Sequence, residues 1–386
     1  MKITFVLPTL SLTGGIRVVS IFAERLRKRG HSVFVISVPH PQPSMREQVK
    51  SLLRGRGWIT PPENEPSFFD NLGVEHKITD RCPVEDKDVP DADVVVATWW
   101  ETPEWVAKLS PSKGAKAYFF QGHEVFDYLP QAIVEATWML PMHKITISEW
   151  LVDLAREKYG DSKVSLAPPT ADTKQFYACP RNKQSVPTVG IMYSKIYSKG
   201  TDIALKAFSL AAAKIPNLRL VAFGTEAPSS ELPLPANTEY VIQPHQDKIK
   251  DCYSKCDAWL LASRSEGDCL PIIEAMACRT PVISTPAGAA PEILSGGSGI
   301  LVRPEDPEEM AKAIESICQL PNSKWQALSE AAYAKVNSYT WEDATAYFEA
   351  ALKVAVDKSK QRDVNIVSFS RYYDPAAANQ QIGVGC

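Results

Sequence analysis

The chain has 386 residues, a formal net charge of -3 and a pI near 6.1. Its 45% apolar and 23% charged content is typical of a soluble globular protein, and its length exceeds one ordinary hydrophobic core, so we expect two domains. The nearly balanced charge gives no support for nucleic acid as a partner.

Two further features bear on location. The N-terminal apolar run from Ile3 to Leu7 is too short for a signal peptide, and no stretch approaches the roughly 20 apolar residues of a membrane span. The eight cysteines follow no metal-binding or disulfide spacing, which favours free thiols in a reducing compartment. We therefore expect a cytoplasmic protein, and a peripheral contact with the inner face of a membrane stays open.

The chain begins with a predicted βαβ unit. Apolar runs at 2–7 and 32–38 are typical of buried strands, and the segment between them has helical periodicity up to about residue 28. Gly14 and Gly15 lie at the strand-to-helix turn, which lacks the Gly-x-Gly-x-x-Gly pattern of a dinucleotide site. These glycines either approach a ligand closely or serve only a tight turn.

Residues 39–65 are rich in proline and basic side chains, with leucines and a tryptophan between them. Three interpretations remain open for this segment. It is an acceptor-side excursion, a surface that touches anionic lipid, or a solvated helix and loop.

Two more predicted strands, at 93–98 and 115–120, are each followed by aromatic and polar residues. Ligands bind at the carboxyl ends of strands in open α/β sheets, so residues 99–102 and 121–126 are candidate site segments. Two interpretations remain open for the aromatic rings of residues 99 and 100: they stack on a sugar, or they pack in the core. His123 follows a glycine at a strand end, where it acts in the site or caps the turn.

A segment with several prolines, which suit a semi-rigid hinge, lies at 164–172, and the next strand is predicted at 186–193. Lys199 and a glycine then precede a helix predicted over 203–214. A lysine ahead of a helix N-terminus is a good phosphate ligand, because the free backbone N–H groups there also favour an anion.

The segment 263–281 carries the strongest pattern in the chain. It follows a buried strand at 258–262, and it contains a loop with Gly267 and a helix that starts near Leu270 and Pro271. Glu266 and Glu274 stand eight residues apart around this turn. Carboxylates accept hydrogen bonds from sugar hydroxyls and a helix N-terminus favours phosphate, a combination that suits a sugar joined to a nucleoside diphosphate.

This Glu-x7-Glu segment, with Gly267, Pro271 and the following Pro-Val-Ile, resembles the signature of family-4 retaining glycosyltransferases. Residues 121–124 are similar to the Gln-x-x-Glu variant of bacterial surface-polysaccharide members, including rhamnosyltransferases. The resemblance implies the GT-B fold, an α/β architecture with two Rossmann-like parallel-sheet domains facing a cleft. The implied divisions are an acceptor domain at 1–165, a donor domain at 166–340, a helix returning to the first domain at 341–357, and a loose tail at 358–386.

The resemblance also assigns roles to residues. Glu266 and His123 would lie by the donor sugar, Glu274 would hold the ribose, and Lys199 would pair with the diphosphate, with His123, Glu266 and Lys199 as catalytic residues. Family members usually carry an arginine where this chain has Ser194, and Lys195 could replace it. The remaining donor-binding positions implied are Gly14, Gly15, Gly267, Leu270 and Pro271, and no metal is expected.

The function implied is transfer of a sugar, with retention, from a UDP-, GDP- or dTDP-sugar to a glycan, lipid-linked or small-molecule acceptor. No cofactor is required beyond this donor substrate. Two alternatives remain open: a sugar-nucleotide epimerase of the same fold, which needs no acceptor, and a non-catalytic nucleotide-sugar-binding protein.

Overall fold

The computed structural model describes residues 1–40, 43–55, 57–59, 67–70, 72–126 and 128–361, which divide into two compact units. Unit 1 comprises Met1–Thr146, Val152–Ala167 and the C-terminal segment from Thr345. Unit 2 comprises Ile147–Leu151 and Pro168–Ala344. Parts of the predicted 39–65 excursion, and residues 362–386 of the predicted tail, lie outside the described residues.

Unit 1 contains one seven-stranded parallel sheet, formed by β1 (Lys2–Leu7), β2 (Ser32–Ser37), β3 (Glu75–Ile78), β4 (Val94–Thr98), β5 (Ala115–Phe120), β6 (His143–Thr146) and β7 (Ser165–Leu166). The strand order is β3-β2-β1-β4-β5-β6-β7. In the central strand, Ile3 pairs with Val33 on one side and Val94 on the other. The reversal at β1 is the switch point of a doubly wound sheet, beside which such folds bind ligands.

Among the described residues, the helices that follow strands of this sheet along the chain are α1 (Gly14–Lys28), α2 (Met45–Leu53), α3 (Thr102–Lys108), α4 (Gln131–Thr137) and α5 (Glu149–Tyr159), the last of which begins in unit 2. The first of them buries Ile16, Val19, Phe22 and Leu26, which recur at helical spacing and form its inner face. The predicted opening βαβ unit is therefore confirmed.

Unit 2 contains a six-stranded parallel sheet of β8 (Thr188–Tyr193), β9 (Arg219–Gly224), β10 (Thr238–Ile242), β11 (Ala258–Leu261), β12 (Val282–Ser284) and β13 (Ile300–Leu301), in the order β10-β9-β8-β11-β12-β13. Its helices are α6 (Thr201–Ala212), α7 (Ile249–Ser254), α8 (Leu270–Ala277), α9 (Ala290–Ile293), α10 (Pro307–Gln319) and α11 (Asn322–Asn337). One apolar cluster includes Phe208 and Met310, and a second includes Tyr253 and Trp259.

The last helix, α12 (Trp341–Gln361), contributes Phe348 to the core of unit 1. The Phe348 ring is fully buried, stacks on Phe22 with centroids 4.4 Å apart and meets Phe119 edge-on at 4.9 Å. The core of unit 1 is thus completed by residues from both ends of the chain.

The predicted fold class, two Rossmann-like domains with parallel sheets, is confirmed. Among the described helices, none is both long enough and apolar enough to cross a membrane.

Candidate functional site

The loop between β11 and α8 is the central feature of unit 2. The strand is fully buried, and the helix that follows buries Ile272, Ala275 and Met276 against the second apolar cluster, so both ends of the loop are held firmly. Cys269, the residue before the helix, adopts the left-handed conformation at φ 64°. Pro271 occupies the first turn, where a missing N–H costs no hydrogen bond.

A second glycine loop supports this one. Gly288 has φ +55°, and a Cβ there would lie 2.5 Å from the carbonyl oxygen of Gly267. The amide of Ala289 donates to that same oxygen at 3.1 Å. Only glycine at position 288 therefore allows the two loops to pack this closely.

Lys199 and Glu266 are brought together although 67 residues separate them. The Lys199 Nζ atom lies 2.8 and 2.9 Å from the two carboxylate oxygens of Glu266, and Ser263 Oγ donates to one of them at 2.7 Å. Lys199 ends a 3-10 turn, and Gly200 follows it at φ +63°. A Cβ on Gly200 would overlap the carbonyl oxygen of Ala262, so this glycine seats the lysine turn against the β11–α8 loop.

Arg264, which sequence reasoning passed over, holds the same two segments together. Its guanidinium donates to both carboxylate oxygens of Asp202 at 2.9 and 2.7 Å and to Glu305 at 2.6 Å, and it stacks on the Tyr197 ring. These carboxylates raise the pKa of Arg264 further. Arg264 stands two residues before Glu266 in the 263–281 segment, but a partner 62 residues away cannot be inferred from that position.

Ser194, which stands where members of the resembled family usually carry an arginine, has a structural role in this chain. The Ser194 amide donates to the Thr201 hydroxyl at 3.1 Å, and that hydroxyl donates back to the Ser194 carbonyl at 2.7 Å. Lys195 pairs with Glu226 at 3.0 Å, and both side chains are about 40% exposed. The structure therefore places Lys195 in a separate ion pair from Lys199.

Glu274 lies on α8 and is only 7% exposed. The Tyr253 hydroxyl donates to its Oε2 at 2.9 Å, which orients the carboxylate. Asp268, which sequence reasoning also missed, has a buried Oδ2 that accepts no hydrogen bond from the described residues. Burial, with the charges of Glu292 and Glu266, raises the pKa of Asp268 well above its usual range.

In unit 1, the two candidate glycines open α1, and the Gln121 carboxamide donates to the Gly15 carbonyl at 3.1 Å. His123 belongs to an aromatic cluster, since its Nε2 lies 2.8 Å from the Tyr159 hydroxyl and its ring meets Trp138 edge-on at 5.5 Å. Burial lowers the pKa of His123, so its ring is neutral at pH 7. Its contacts are those of a packed side chain.

The residue after this histidine has the more unusual surroundings. Glu124 is 6% exposed, and its Oε2 accepts a hydrogen bond of 2.8 Å from the backbone amide of Trp100. Burial raises the pKa of Glu124 to about 8. Trp99 before this turn has φ 63°, and the indole N–H of Trp100 is buried without an acceptor among the described residues.

Within the described part of the chain, no group of three or more His, Cys, Asp or Glu side chains is arranged to hold a metal ion.

Comparison with known proteins shows that part of unit 2 is similar to glycosyltransferases. Residues 180–335, which contain Lys199, Glu266 and Glu274, match the family model described as glycosyl transferases group 1. A phosphatidylinositol N-acetylglucosaminyltransferase component of Arabidopsis thaliana is 26% identical over 197 residues, which is 49% of this chain and 43% of that protein. The D-inositol 3-phosphate glycosyltransferase of Mycobacterium avium (strain 104) is 26% identical over 171 residues, covering 41% and 39%. The alignments thus span less than half the length of these curated relatives.

The fold of the whole chain also has solved counterparts. HepE of Anabaena, solved in complex with UDP, aligns with a TM-score of 0.70 and 16% sequence identity over 92% of this chain and 100% of that chain. The same protein has been solved with UDP-glucose. These structural neighbours are GT-B glycosyltransferases, so the chain has the GT-B type of fold.

Proposed function

We propose that this protein is a retaining group 1 glycosyltransferase that moves a sugar from a nucleoside diphosphate to a hydroxyl acceptor. The observation that carries the proposal is the β11–α8 segment of unit 2. There Glu266 contacts Lys199 just before the helix that carries Glu274, and all three residues lie inside the stretch that matches the glycosyltransferase family. Cation, helix N-terminus and carboxylates are the groups that a sugar diphosphate needs.

Each residue has a role under this proposal. Glu274, oriented by Tyr253, accepts hydrogen bonds from the ribose. Lys199 and the N-terminus of α8 at Leu270 and Pro271 bind the diphosphate, while Glu266 contacts the donor sugar. Gly267, Gly14 and Gly15 allow close approach of backbone to ligand, and Lys195 and His123 remain proposed contributors.

The chemistry follows from these contacts. The bond between the anomeric carbon and the diphosphate oxygen breaks, and its electron pair leaves with the diphosphate. A bond from the acceptor hydroxyl forms on the same face of the sugar, and the hydroxyl proton passes to the diphosphate. Positive charge and N–H groups at the diphosphate lower the barrier by stabilising the charge that develops there, and no metal or further cofactor is invoked.

The donor and acceptor are proposed by class. UDP-sugars are the first donors to test, because a structural neighbour was solved with UDP and UDP-glucose, and GDP- and dTDP-sugars follow. The names of two relatives contain inositol phosphate or phosphatidylinositol, which supports a polyol, glycan or lipid-linked acceptor, as in polysaccharide biosynthesis. We propose unit 1 as the acceptor side and unit 2 as the donor side.

Peripheral contact with a cytoplasmic membrane face is part of the proposal, and a surface on α2 supports it. The surface combines exposed apolar side chains with Arg46, Lys50 and Arg54, a pattern typical of binding to anionic lipid. Gln48 exchanges two 2.8 Å hydrogen bonds with the Ile59 backbone and so fixes residues 57–59 beside the helix. The apolar members are between 40% and 84% exposed: Met45, Val49, Leu52, Leu53, Trp58 and Ile59.

The test of transfer is the release of nucleoside diphosphate from each sugar nucleotide, with and without a panel of acceptors. Release that depends on an acceptor supports a transferase. A product whose anomeric configuration, determined by NMR, is the same as that of the donor supports retention. Interconversion of the sugar nucleotide without acceptor would instead support the epimerase. Binding without either reaction would support the non-catalytic protein.

The membrane contact is tested by flotation with phosphatidylcholine vesicles, with and without phosphatidylglycerol. We expect flotation only with the anionic lipid, and its loss when both Leu52 and Leu53 are changed to serine. Ile78→Ser, on the exposed part of β3, is the matched control. Undiminished flotation of the double variant would exclude the α2 surface.

A further inference from the structure

One largely shielded arginine of unit 2 is bonded to three segments of the chain at once. The Arg264 side chain is only 15% exposed. Its guanidinium donates to both carboxylate oxygens of Asp202 at 2.9 and 2.7 Å, to both of Glu305 at 2.6 and 3.1 Å, and to the Tyr197 carbonyl at 2.7 Å. These five contacts engage every N–H that a guanidinium has, so Arg264 does not itself serve as a phosphate ligand.

Two of these contacts, with one from the backbone, hold the turn that carries Lys199. Residues 197–199 form a 3-10 turn, and the Arg264 guanidinium binds the carbonyl of its first residue. The Arg264 backbone amide donates to the carbonyl of the second residue, Ser198, at 2.8 Å. Asp202 lies in the first turn of α6, directly after this turn. The backbone position from which the Lys199 side chain extends is therefore set by a residue of the β11–α8 loop.

The partner of Lys199 lies on that same loop. Glu266 stands two residues after Arg264, and its carboxylate oxygens lie 2.8 and 2.9 Å from the Lys199 Nζ atom. Arg264 thus fixes both sides of the contact, the turn that carries the lysine and the loop that carries the glutamate. Misplacement of a binding group by about 1 Å is enough to lose much of its effect, so the ammonium group depends on this support.

The third segment is the loop between β13 and α10, where Glu305 has φ 57°. This left-handed conformation costs free energy in a residue with a Cβ, and the two bonds from Arg264 offset that cost. A lysine at position 264 would keep the positive charge between the carboxylates. Its single ammonium group would not reproduce the planar geometry that reaches all three segments.

We propose that Arg264 is a positioning residue, which holds the turn of Lys199 against Glu266 and so sets the affinity of unit 2 for a diphosphate without touching it. The inference rests on the proposed function, because Lys199 is assigned to the diphosphate there. A positioning role requires that the effect of Arg264 on nucleotide affinity passes through Lys199. A general distortion of unit 2 would instead act whether or not the lysine is present.

The test is a double-mutant cycle on UDP affinity, measured by calorimetric titration of the full chain. The four proteins are the unmodified chain, Arg264→Lys, Lys199→Ala and the double variant. We expect Arg264→Lys to lower UDP affinity several-fold when Lys199 is present, and to have almost no effect when residue 199 is alanine. The two losses should thus be strongly non-additive.

Arg303→Lys is the matched control. Arg303 forms ion pairs of 2.7 Å with Asp306 and Glu309 in its own segment, so its substitution should leave UDP affinity unchanged. Asp202→Asn weakens the same contacts of Arg264 at a side chain that is 46% exposed, and it should lower UDP affinity in the same direction. This variant takes the place of Arg264→Lys in the cycle if Arg264→Lys does not fold.

The outcomes separate this inference from the proposed function. Normal UDP affinity in Arg264→Lys, or an equal loss with and without Lys199, overturns the positioning role and leaves the proposed diphosphate site intact. Normal UDP affinity in Lys199→Ala, or no binding of UDP by the unmodified protein, contradicts the proposed diphosphate site and overturns the positioning role with it.

Discussion

At the scale of single residues, the charge of Glu266 is balanced inside unit 2. Lys199 contacts both of its oxygens, and the Glu266 side chain is only 10% exposed. An anion that binds Lys199 must therefore compete with a carboxylate already in place. A diphosphate carries more charge and offers more acceptor oxygens, so its binding would weaken this ion pair and free Glu266 for the hydroxyls of the donor sugar.

Glu274 offers the most direct test of the proposed nucleotide site. Glu274→Ala removes a charged acceptor, and a hydrogen bond to a charged group contributes about 1.5–3 kcal/mol, or a fall in UDP affinity of roughly 10- to 150-fold. Tyr253→Phe keeps the ring and removes only the hydroxyl that orients Glu274, so we expect a smaller loss. Calorimetric titration measures both. A folded Glu274→Ala protein with normal UDP affinity would place the ribose elsewhere.

Glu124 also predicts a pH dependence of stability. The pKa of Glu124 rises from the ordinary 4.5 to about 8 on folding. Between these two pH values the native state therefore holds a proton that the unfolded chain has released. The stability that this group contributes is complete below about pH 4.5 and is lost as pH rises through about 8. Glu124→Gln removes the ionisation and should be more stable than the unmodified protein at pH 8.5, on the order of a few kcal/mol.

Urea unfolding of both proteins at pH 4.5 and 8.5 measures this difference. At pH 4.5 the two should be nearly equal in stability, since the acid is neutral in the native state and still half protonated in the unfolded chain. Equal differences at the two pH values would show that Glu124 is ionised in the native protein.

At the scale of elements, the site of unit 2 depends on loops that approach each other closely. The turn that carries Lys199 contacts the β11–α8 loop at Gly200. The loop between β12 and α9 contacts the same β11–α8 loop at Gly288. Neither contact involves a large side chain. Both depend on a backbone conformation with positive φ that brings carbonyl oxygens to where a Cβ would be.

Gly200→Ala tests this dependence, and Gly296→Ala is its matched control. Gly296 has φ +75°, and a Cβ added there would have nothing within 4 Å, so alanine costs only the left-handed conformation, about 1–2 kcal/mol. Gly200 has a similar φ of +63°, but its Cβ would also overlap the Ala262 carbonyl. Gly200→Ala should therefore lose more stability than Gly296→Ala. Its rate of sugar transfer should fall more strongly still, because the substitution displaces Lys199.

Urea unfolding and turnover are measured for both glycine variants. If Gly200→Ala and Gly296→Ala have the same stability and turnover, the close approach at Ala262 is not what seats Lys199.

Features set by neighbouring residues could be predicted from the sequence, and contacts between distant residues could not. Apolar runs and glycine turns predicted individual strands and the β11–α8 turn, because those features depend on neighbours along the chain. The two parallel-sheet domains were implied by the resemblance to a known family. The Lys199–Glu266 pair, the Arg264 contacts and the burial of Glu124 depend on residues tens of positions apart, which one sequence does not reveal. His123 drew attention as a histidine, while the neighbouring glutamate holds the more perturbed environment.

At the scale of the whole molecule, the long segment Pro168–Ala344 belongs to unit 2, and the chain returns to unit 1 at Thr345. The stability of unit 1 therefore depends on a helix that is far along the chain from the strands it covers, while the residues proposed to bind the diphosphate and ribose belong to unit 2. A defect in the seat of α12 and a defect in the nucleotide site should have separable consequences.

Phe348→Ala tests this separation. The ring is fully buried between Phe22 and Phe119, so its removal leaves a cavity and should cost about 3–5 kcal/mol of the stability of unit 1. UDP affinity at a temperature well below unfolding should be unchanged, since Lys199, Glu266 and Glu274 lie in unit 2. Val354→Ala, a change at a more exposed position of the same helix, should affect neither quantity by more than about 0.5 kcal/mol. Calorimetric unfolding with parallel UDP titration measures both, and a Phe348→Ala protein that is folded but has lost UDP binding would show that the nucleotide site depends on the core of unit 1.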